Sequence, residues 1–329
     1  MVWQNLDLGT IFGPPELFDL LMKLLLIDGH YYAYRSFFAI RDLKNSRGEP
    51  VSAIYGFVKA VRKMVRDLSP DYGAVVWDRG IPLRRAALQP AYKQQRAEMP
   101  ENMRSQLVFL QNLLPLLGFT GLSLPETEAD DLIASYAVAA TAEGHEVFVA
   151  TRDKDLFQLV NDRVKIYSTI KADFSSPKDT FALLGVEAVA KKWGIPPWQI
   201  AEMLALTGDQ ADNIPGVFGL GVKGAVALLA NYGPLDAILA NPNAIENDRL
   251  RDKVQTALEQ IEQNREMIRL DLDLPLPTPI DELKILPRWQ ELIAELEKCD
   301  LKSLIAEVRA EEAGVNSRVV VESTQGELF

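Results

Sequence analysis

The chain has 329 residues, 48% hydrophobic and 25% charged, enough to bury a core in one large domain or two smaller ones. Its single cysteine, Cys299, excludes an intramolecular disulfide and points to a reducing compartment, and with only His30 and His145 beside it a structural zinc site is disfavoured. A net charge of −11 argues against nucleic acid at first sight, but binding follows the local field, and Arg79, Arg84, Arg85, Lys93, Arg96 and Arg104 share one stretch with few acids.

The opening residues carry no basic segment of a secretory signal, and the apolar run LFDLLMKLLLI is broken by Asp19 and Lys23 and is too short to span a bilayer. Met22-Lys23 opens the first clear strand. Residues 1–22 therefore read as an N-terminal extension, with Met22 as an alternative start.

Three four-residue apolar runs follow: LLLI before Asp28, AVVW before Asp78, and VFVA before Thr151-Arg152-Asp153. Runs this short with no polar face are strands of a parallel sheet covered on both sides. Helical spacing joins Val51 through Leu68 and stops at Ser69-Pro70. A second helix is expected from Glu101 to Gly118 and a third from Glu128 to Gly144. Strands alternating with helices predict an α/β doubly wound domain over residues 23–197. Beyond Pro197 short helices and Gly-rich turns are expected, then a long helix from Ile245 to Leu270. A helix pair from Trp289 to Arg309 and a polar, loose tail from Glu311 complete the reading.

In open α/β sheets, ligands sit outside the carboxyl ends of the strands. Asp28, Asp78 and Asp153 all reach that edge. A single strand-end Asp is usually a helix cap or turn former; three together are harder to explain so. Glu128, Asp130 and Asp131 open a helix, Asp155 follows Asp153, and Asp209 and Asp212 lie in GDQAD. Two unit charges ~4 Å apart repel by about 4 kcal/mol at an effective dielectric of ~20, so converging acids need cations. Carboxylate ligands suit divalent ions, and a metal pair ~3.5–4 Å apart is the standard clamp for phosphodiester hydrolysis.

Gly219-Leu-Gly221-Val-Lys-Gly224 spells the dinucleotide-binding G-x-G-x-x-G, yet DNIPGVF before it reads as a turn after a helix, with no strand. A nicotinamide dehydrogenase is therefore set aside. The segment reads better as a helix–hairpin–helix-type turn, in which Gly216, Gly219 and Gly221 let backbone N–H groups approach DNA phosphates and Lys223 adds charge.

The ordered motifs LLLIDGHYYAYRSFFA, GEPVSAIYGF, VVWD, YKQQR, EADDLIAS, TRDKDLFQLV and LTGDQADNIPGVFGLGVKGAVALL resemble the bacterial and phage 5′ nucleases, the flap endonuclease relatives that include the 5′→3′ exonuclease domain of DNA polymerase I. The resemblance covers about residues 23–308. It implies a PIN-like 5′ nuclease fold: a mainly parallel sheet flanked by helices, an arch at about residues 79–104, and a helix–three-turn–helix DNA-binding region over 198–310, leaving 311–329 as a flexible tail. It further implies two groups of metal ligands, Asp28, Asp78, Glu128, Asp130 and Asp131, then Asp153, Asp155, Asp209 and Asp212. Magnesium is the expected ion, with manganese able to substitute and potassium at the helix–three-turn–helix turn. Lys93 and Arg96 match the arch residues that contact the scissile phosphate. Tyr34 and Arg35 match those that stack on the terminal base and hold a phosphate, and Arg84 and Arg85 are further DNA-contact candidates, with a solvated basic face as the plain alternative.

The implied activity is that of a stand-alone structure-specific 5′→3′ exonuclease and 5′-flap endonuclease in primer removal and repair, acting as a monomer in the cytoplasm near the nucleoid, with no membrane partner. The terminal QGELF resembles a sliding-clamp docking peptide through Gln325, Leu328 and Phe329. The rivals are a non-catalytic binder of branched DNA, which would need degraded carboxylates, and a nuclease of RNA alone.

Overall fold

The three expected strands lie side by side. In the computed structural model, which describes residues 21–170 and 180–326, one sheet is built from β1 (Lys23–Asp28), β2 (Tyr72–Val76), β3 (Thr120–Leu122), β4 (Glu146–Ala150), β5 (Val164–Ile170) and β6 (Thr180–Leu184). The strand order is β3-β2-β1-β4-β5-β6, parallel except for β6 at one edge. β3, β5 and β6 were not anticipated. β3 is only three residues long, and β5 mixes polar and apolar positions. Register sets the functional edge: Asp28 pairs with Val76 and Ile27 with Ala150, so β1, β2 and β4 end level. The strand order reverses between β1 and β4, the crevice where α/β sheets bind ligands.

Alternation along each strand feeds two cores. Leu25 and Ile27 of β1, with Phe148 and Ala150 of β4, face helices α1 (Gly29–Ala39), α2 (Ser52–Leu68) and, after the short α3 (Leu83–Leu88), α4 (Glu101–Leu113). α2 buries Ile54, Phe57, Val58, Val61, Met64 and Leu68, each side chain contributing roughly 1.5–3 kcal/mol when fully buried. Leu24, Leu26, Val147 and Val149 face the other way, onto α5 (Ala129–Ala142).

That second core runs on without a break. α6 (Val186–Trp193) and α7 (Ile200–Thr207) lead to a two-residue ladder of β7 (Gly208–Asp209) and β8 (Ile214–Pro215), then α8 (Val222–Tyr232), α9 (Leu235–Ala240), α10 (Asp248–Thr256) and α11 (Leu258–Ile268). Met203, Leu228, Val254 and Ile261 belong to the same cluster as Leu24 and Leu132. α12 (Trp289–Lys298) and α13 (Lys302–Gly326) return to the first face through Leu292, Leu304 and Val308.

Three boundaries depart from the sequence reading. The helix from Glu101 closes at Leu113, where Pro115 turns the chain into a 3-10 turn. The expected helix over 245–270 is two helices broken at Ala257; no Gly or Pro marks the break, and packing sets it, α11 lying against α7 and α3. α13 passes Glu311 instead of loosening there: Arg62, 5% exposed, binds Glu307 at 3.0 Å and Glu311 at 2.8 Å, and Arg66 binds Glu311 at 2.6 Å. Residues 1–20 of the expected extension, and Leu328 and Phe329, lie outside the described residues; Gln325 falls in the last turns of α13.

Candidate active site

Each strand-end aspartate has both a local and a shared role. Asp28 caps α1, accepting the Tyr31 N–H at 2.9 Å, and takes the Thr151 hydroxyl at 3.1 Å. Asp78, two residues past β2, accepts the Ala129 N–H at 2.8 Å and so caps α5 from a distant part of the chain. Asp153 accepts the Asp155 N–H at 3.0 Å in the turn after β4. Helix-cap and ligand readings are thus compatible.

Asp28, Asp78, Asp130 and Asp153 line one cavity of about 390 Å³ with His30, Tyr31, Tyr34, Lys93, Arg96 and Met99. Burial, helped by the charges of Asp78 and Asp153, pushes Asp28 up to about 7. Burial raises Asp130 well above the carboxylate range, with Asp153, Asp28 and Asp78 adding to it. Asp153 is raised by burial too, with Asp212 and Asp209 adding to it. Burial and mutual repulsion that raise several neighbouring acids together mark a place where a cation would be favoured. A larger, mostly apolar groove of about 660 Å³, lined by Val61, Phe119 and Trp289, holds none of the nine carboxylates.

The second group sits beside the first. Asp155, Asp209 and Asp212 each offer a carboxylate oxygen within 4.8 Å of the others. Burial, then Asp153, Asp209 and Asp212, raise Asp155 well above its ordinary value, and its buried Oδ1 has no hydrogen-bond partner among the described residues. An orphaned carboxylate oxygen facing two further carboxylates fits an oxygen-ligated divalent ion. The β7–β8 ladder carries Asp209 into place, and Lys154 lies 3.1 Å from it.

The arch segment supplies cations. Lys93 contacts Glu128 and lies 3.6 Å from Asp212; Arg96 binds Asp212 at 2.6 Å. Burial pulls the Lys93 ammonium down, but Glu128 and Asp212 outweigh it and hold its pKa above the usual value. The Tyr92 hydroxyl lies 3.1 Å from an oxygen of Glu128 and of Asp212; burial first, then those two charges, keep it protonated.

Two expected DNA contacts are turned inward. Arg85 is 3% exposed and binds Glu128 and Asp131, which corrects the expectation of a solvent-facing arginine. Arg84 donates to the carbonyls of Glu266 and Arg269 and to Asp271 at 3.1 Å. Both arginines satisfy the carbonyls at the end of α11 and the acids that the fold brings against α3, a pairing with no local signature in sequence. Tyr34 lines the cavity and stacks on Phe38, with ring centroids 6.3 Å apart, and Arg35 is half-buried on α1.

Gly216, Gly219, Gly221 and Lys223 are not in the carboxylate cavity; the glycines lie in the segment leading into α8, whose N-cap is Gly221, and Lys223 is in its first turn. The two-residue β8 precedes them, so the turn does follow a strand fragment, though one far too short for a dinucleotide fold. Lys223 is exposed, and Lys253 donates to the Gly219 carbonyl at 2.7 Å.

His30, Tyr92 and Lys154 escaped the sequence reading as site residues. His30 Nδ1 accepts the Asp78 N–H at 3.2 Å, and its ring meets Trp77 edge-on. Its place directly after Asp28-Gly29 was the available signal, as was that of Tyr92 in YKQQR.

The family model for the 5′-3′ exonuclease N-terminal resolvase-like domain matches residues 23–194, and that for the 5′-3′ exonuclease C-terminal SAM fold matches residues 195–291. The chain belongs to the 5′-3′ exonuclease family. A thermostable DNA polymerase I of Thermus thermophilus is 39% identical over 291 residues, which are 88% of this chain and 34% of the relative. The 5′-3′ exonuclease of Aquifex aeolicus is 34% identical over 286 residues, 87% of this chain and 94% of the relative. The chain thus spans about a third of the length of the polymerase relatives. Among solved structures, the T5 D15 protein co-crystallised with metal ions matches with a TM-score of 0.60 at 19% identity, covering 88% of this chain and 98% of that one. The catalytic core of Rad2 in complex with a DNA substrate matches with 0.58 at 18%, covering 88% and 91%. At those identities the likeness is one of fold.

Proposed function

We propose that this protein is a divalent-metal-dependent 5′ nuclease. It hydrolyses phosphodiesters of DNA and of RNA primers at 5′ flaps, nicks and gaps, and leaves a 5′-phosphate. The observation that carries this reading is the convergence of Asp28, Asp78, Asp130 and Asp153 on one cavity that also holds Lys93 and Arg96. These four would hold one ion and Asp155, Asp209 and Asp212 a second, magnesium being the expected metal with manganese able to replace it. When bound, such a pair supplies an attacking water of lowered pKa and a counter-charge for the leaving oxygen.

The chain's own groups do the rest. Lys93 and Arg96 would stabilise charge that develops on the phosphate. Tyr34 and Arg35 on α1 receive the 5′ end. The glycines of the turn into α8 offer backbone N–H groups to duplex phosphates, with Lys223 beside them and potassium as the monovalent ion for that turn. In this reading the enzyme acts as a monomer near the nucleoid, and Gln325, Leu328 and Phe329 dock on a sliding clamp; deleting the last five residues then abolishes clamp binding.

The test is cleavage of a 5′-flap duplex with magnesium and with chelator, beside Asp153→Asn. Magnesium-dependent cutting near the flap junction that drops by at least about a hundredfold in the variant supports the reading. Tight flap binding without cutting under magnesium or manganese would leave a binder of branched DNA.

A further inference from the structure

The nine carboxylates are not equivalent, and Asp131 stands apart from the other eight. It is 0% exposed, and it does not line the cavity that its neighbour Asp130 lines. Its Oδ1 accepts from Arg85 at 2.8 Å and from the Asp271 N–H at 2.9 Å, and its Oδ2 accepts from Arg85 at 2.5 Å. Three of the roughly four lone-pair positions of a carboxylate are therefore used.

Arg85 is equally committed. Nε donates to the Met267 carbonyl at 2.9 Å; one terminal nitrogen serves Glu128 and Asp131, both at 2.5 Å; the other serves Asp131 and the Arg269 carbonyl at 3.0 Å. All five N–H donors of the guanidinium have acceptors, and the planar fork meets Asp131 bidentately. Arg96 differs. Its side chain is 47% exposed and can leave its carboxylate for water, whereas withdrawing Arg85 would take its donors from the Met267 carbonyl and from the buried Asp131.

The three segments joined here are the ones whose relative placement matters. Arg85 lies on α3, at the foot of the arch segment that carries Lys93 and Arg96. Asp131 and Glu128 lie at the start of α5. Met267, Arg269 and Asp271 belong to the end of α11 and the chain after it.

We infer that Asp131 is the fixed counter-ion of Arg85 rather than a metal ligand, and that the pair is a positioning device that pins the arch foot to α5 and to the end of α11. The inference rests on the nuclease reading for the meaning of the arch, but not for its test. Manganese binding is measured by isothermal titration for the native protein, Asp130→Asn and the charge-neutral pair Arg85→Gln/Asp131→Asn, each shown folded by circular dichroism. Limited trypsin digestion without metal then reads cutting after Lys93 and Arg96.

The double variant is expected to bind the same number of manganese ions with Kd within about threefold of native, while Asp130→Asn binds about tenfold or more weakly. Its arch is expected to be cut about tenfold faster, because the foot is released while the metal site stays. Loss of an ion, or a Kd raised about tenfold in the folded double variant, makes Asp131 a ligand and overturns the inference. Native metal binding with native trypsin resistance overturns the positioning role. Should the double variant not fold, Asp131→Asn alone is read by manganese titration and Arg85→Lys, which keeps the charge and loses the fork, by trypsin digestion, against the same outcomes. Neither readout uses cleavage of DNA, so an inactive protein would not be mistaken for a failed inference.

Discussion

Asp28 shows how a single side chain records a site built for cations. Its folded pKa of about 7 exceeds the ordinary 3.8, so the folded protein binds this proton more tightly than the unfolded chain. The stability it contributes is full below about pH 4 and is lost as pH rises through 7. The metal-free protein should therefore melt at progressively lower temperature from pH 4 to pH 7, and Asp28→Asn should flatten that slope. Thermal melts in chelator across this range check it; an equal slope in the variant would assign the dependence elsewhere. Lys93 gives a second residue-scale expectation. With the role proposed for it, Lys93→Ala should lower single-turnover cleavage by about 10²–10³-fold. Manganese binding should persist, since the lysine supplies none of the carboxylates proposed to hold the ions.

At the scale of elements, the β7–β8 ladder is a small device with a large consequence, because it presents Asp209 and leads to Asp212. Gly208 adopts φ +68°, and a Cβ there would stand 2.3 Å from the Ile214 carbonyl oxygen. A Cβ on Gly216 would stand 2.0 Å from the Thr207 carbonyl oxygen. Backbone cannot yield as a side-chain tip can, so Gly216→Ala should force the ladder apart, cost at least about 2 kcal/mol in urea unfolding and weaken the binding of one manganese ion. A variant with native stability and two intact ions would show that the ladder adapts.

For the whole molecule, the boundary between the two matched family segments, at residues 194 and 195, is not a boundary in the core. Leu24, Leu132, Met203, Leu228 and Ile261 form one cluster across it. A fragment ending at residue 194 would strip Met203, Leu228 and Ile261 from this cluster, and it should lack a cooperative melt, whereas the whole chain should unfold in one transition. Calorimetry on both checks this; a fragment with its own sharp transition would make the two segments independent domains. Shared packing also explains how carboxylates from residue 28 to residue 212 can be held to one geometry.

Much of this was written in local chemistry. Short branched apolar runs gave β1, β2 and β4, since a strand buried on both faces has no polar positions to hide it. Aspartates after each run, the acids opening α5 and the YKQQR segment named the candidate site, because these residue types at strand ends and helix starts have few other reasons to accumulate. What the sequence could not carry were pairings between distant segments. β3 and β6 exist because a neighbouring strand completes their hydrogen bonds, α10 and α11 are separate because of what they pack on, and Arg85 became a buried counter-ion only when α3 met α5 and the end of α11. Periodicity and composition are properties of neighbours along the chain. Which charge meets which is decided by the fold, since burial makes an unpaired charge costly and leaves each one only the partner that tertiary packing delivers.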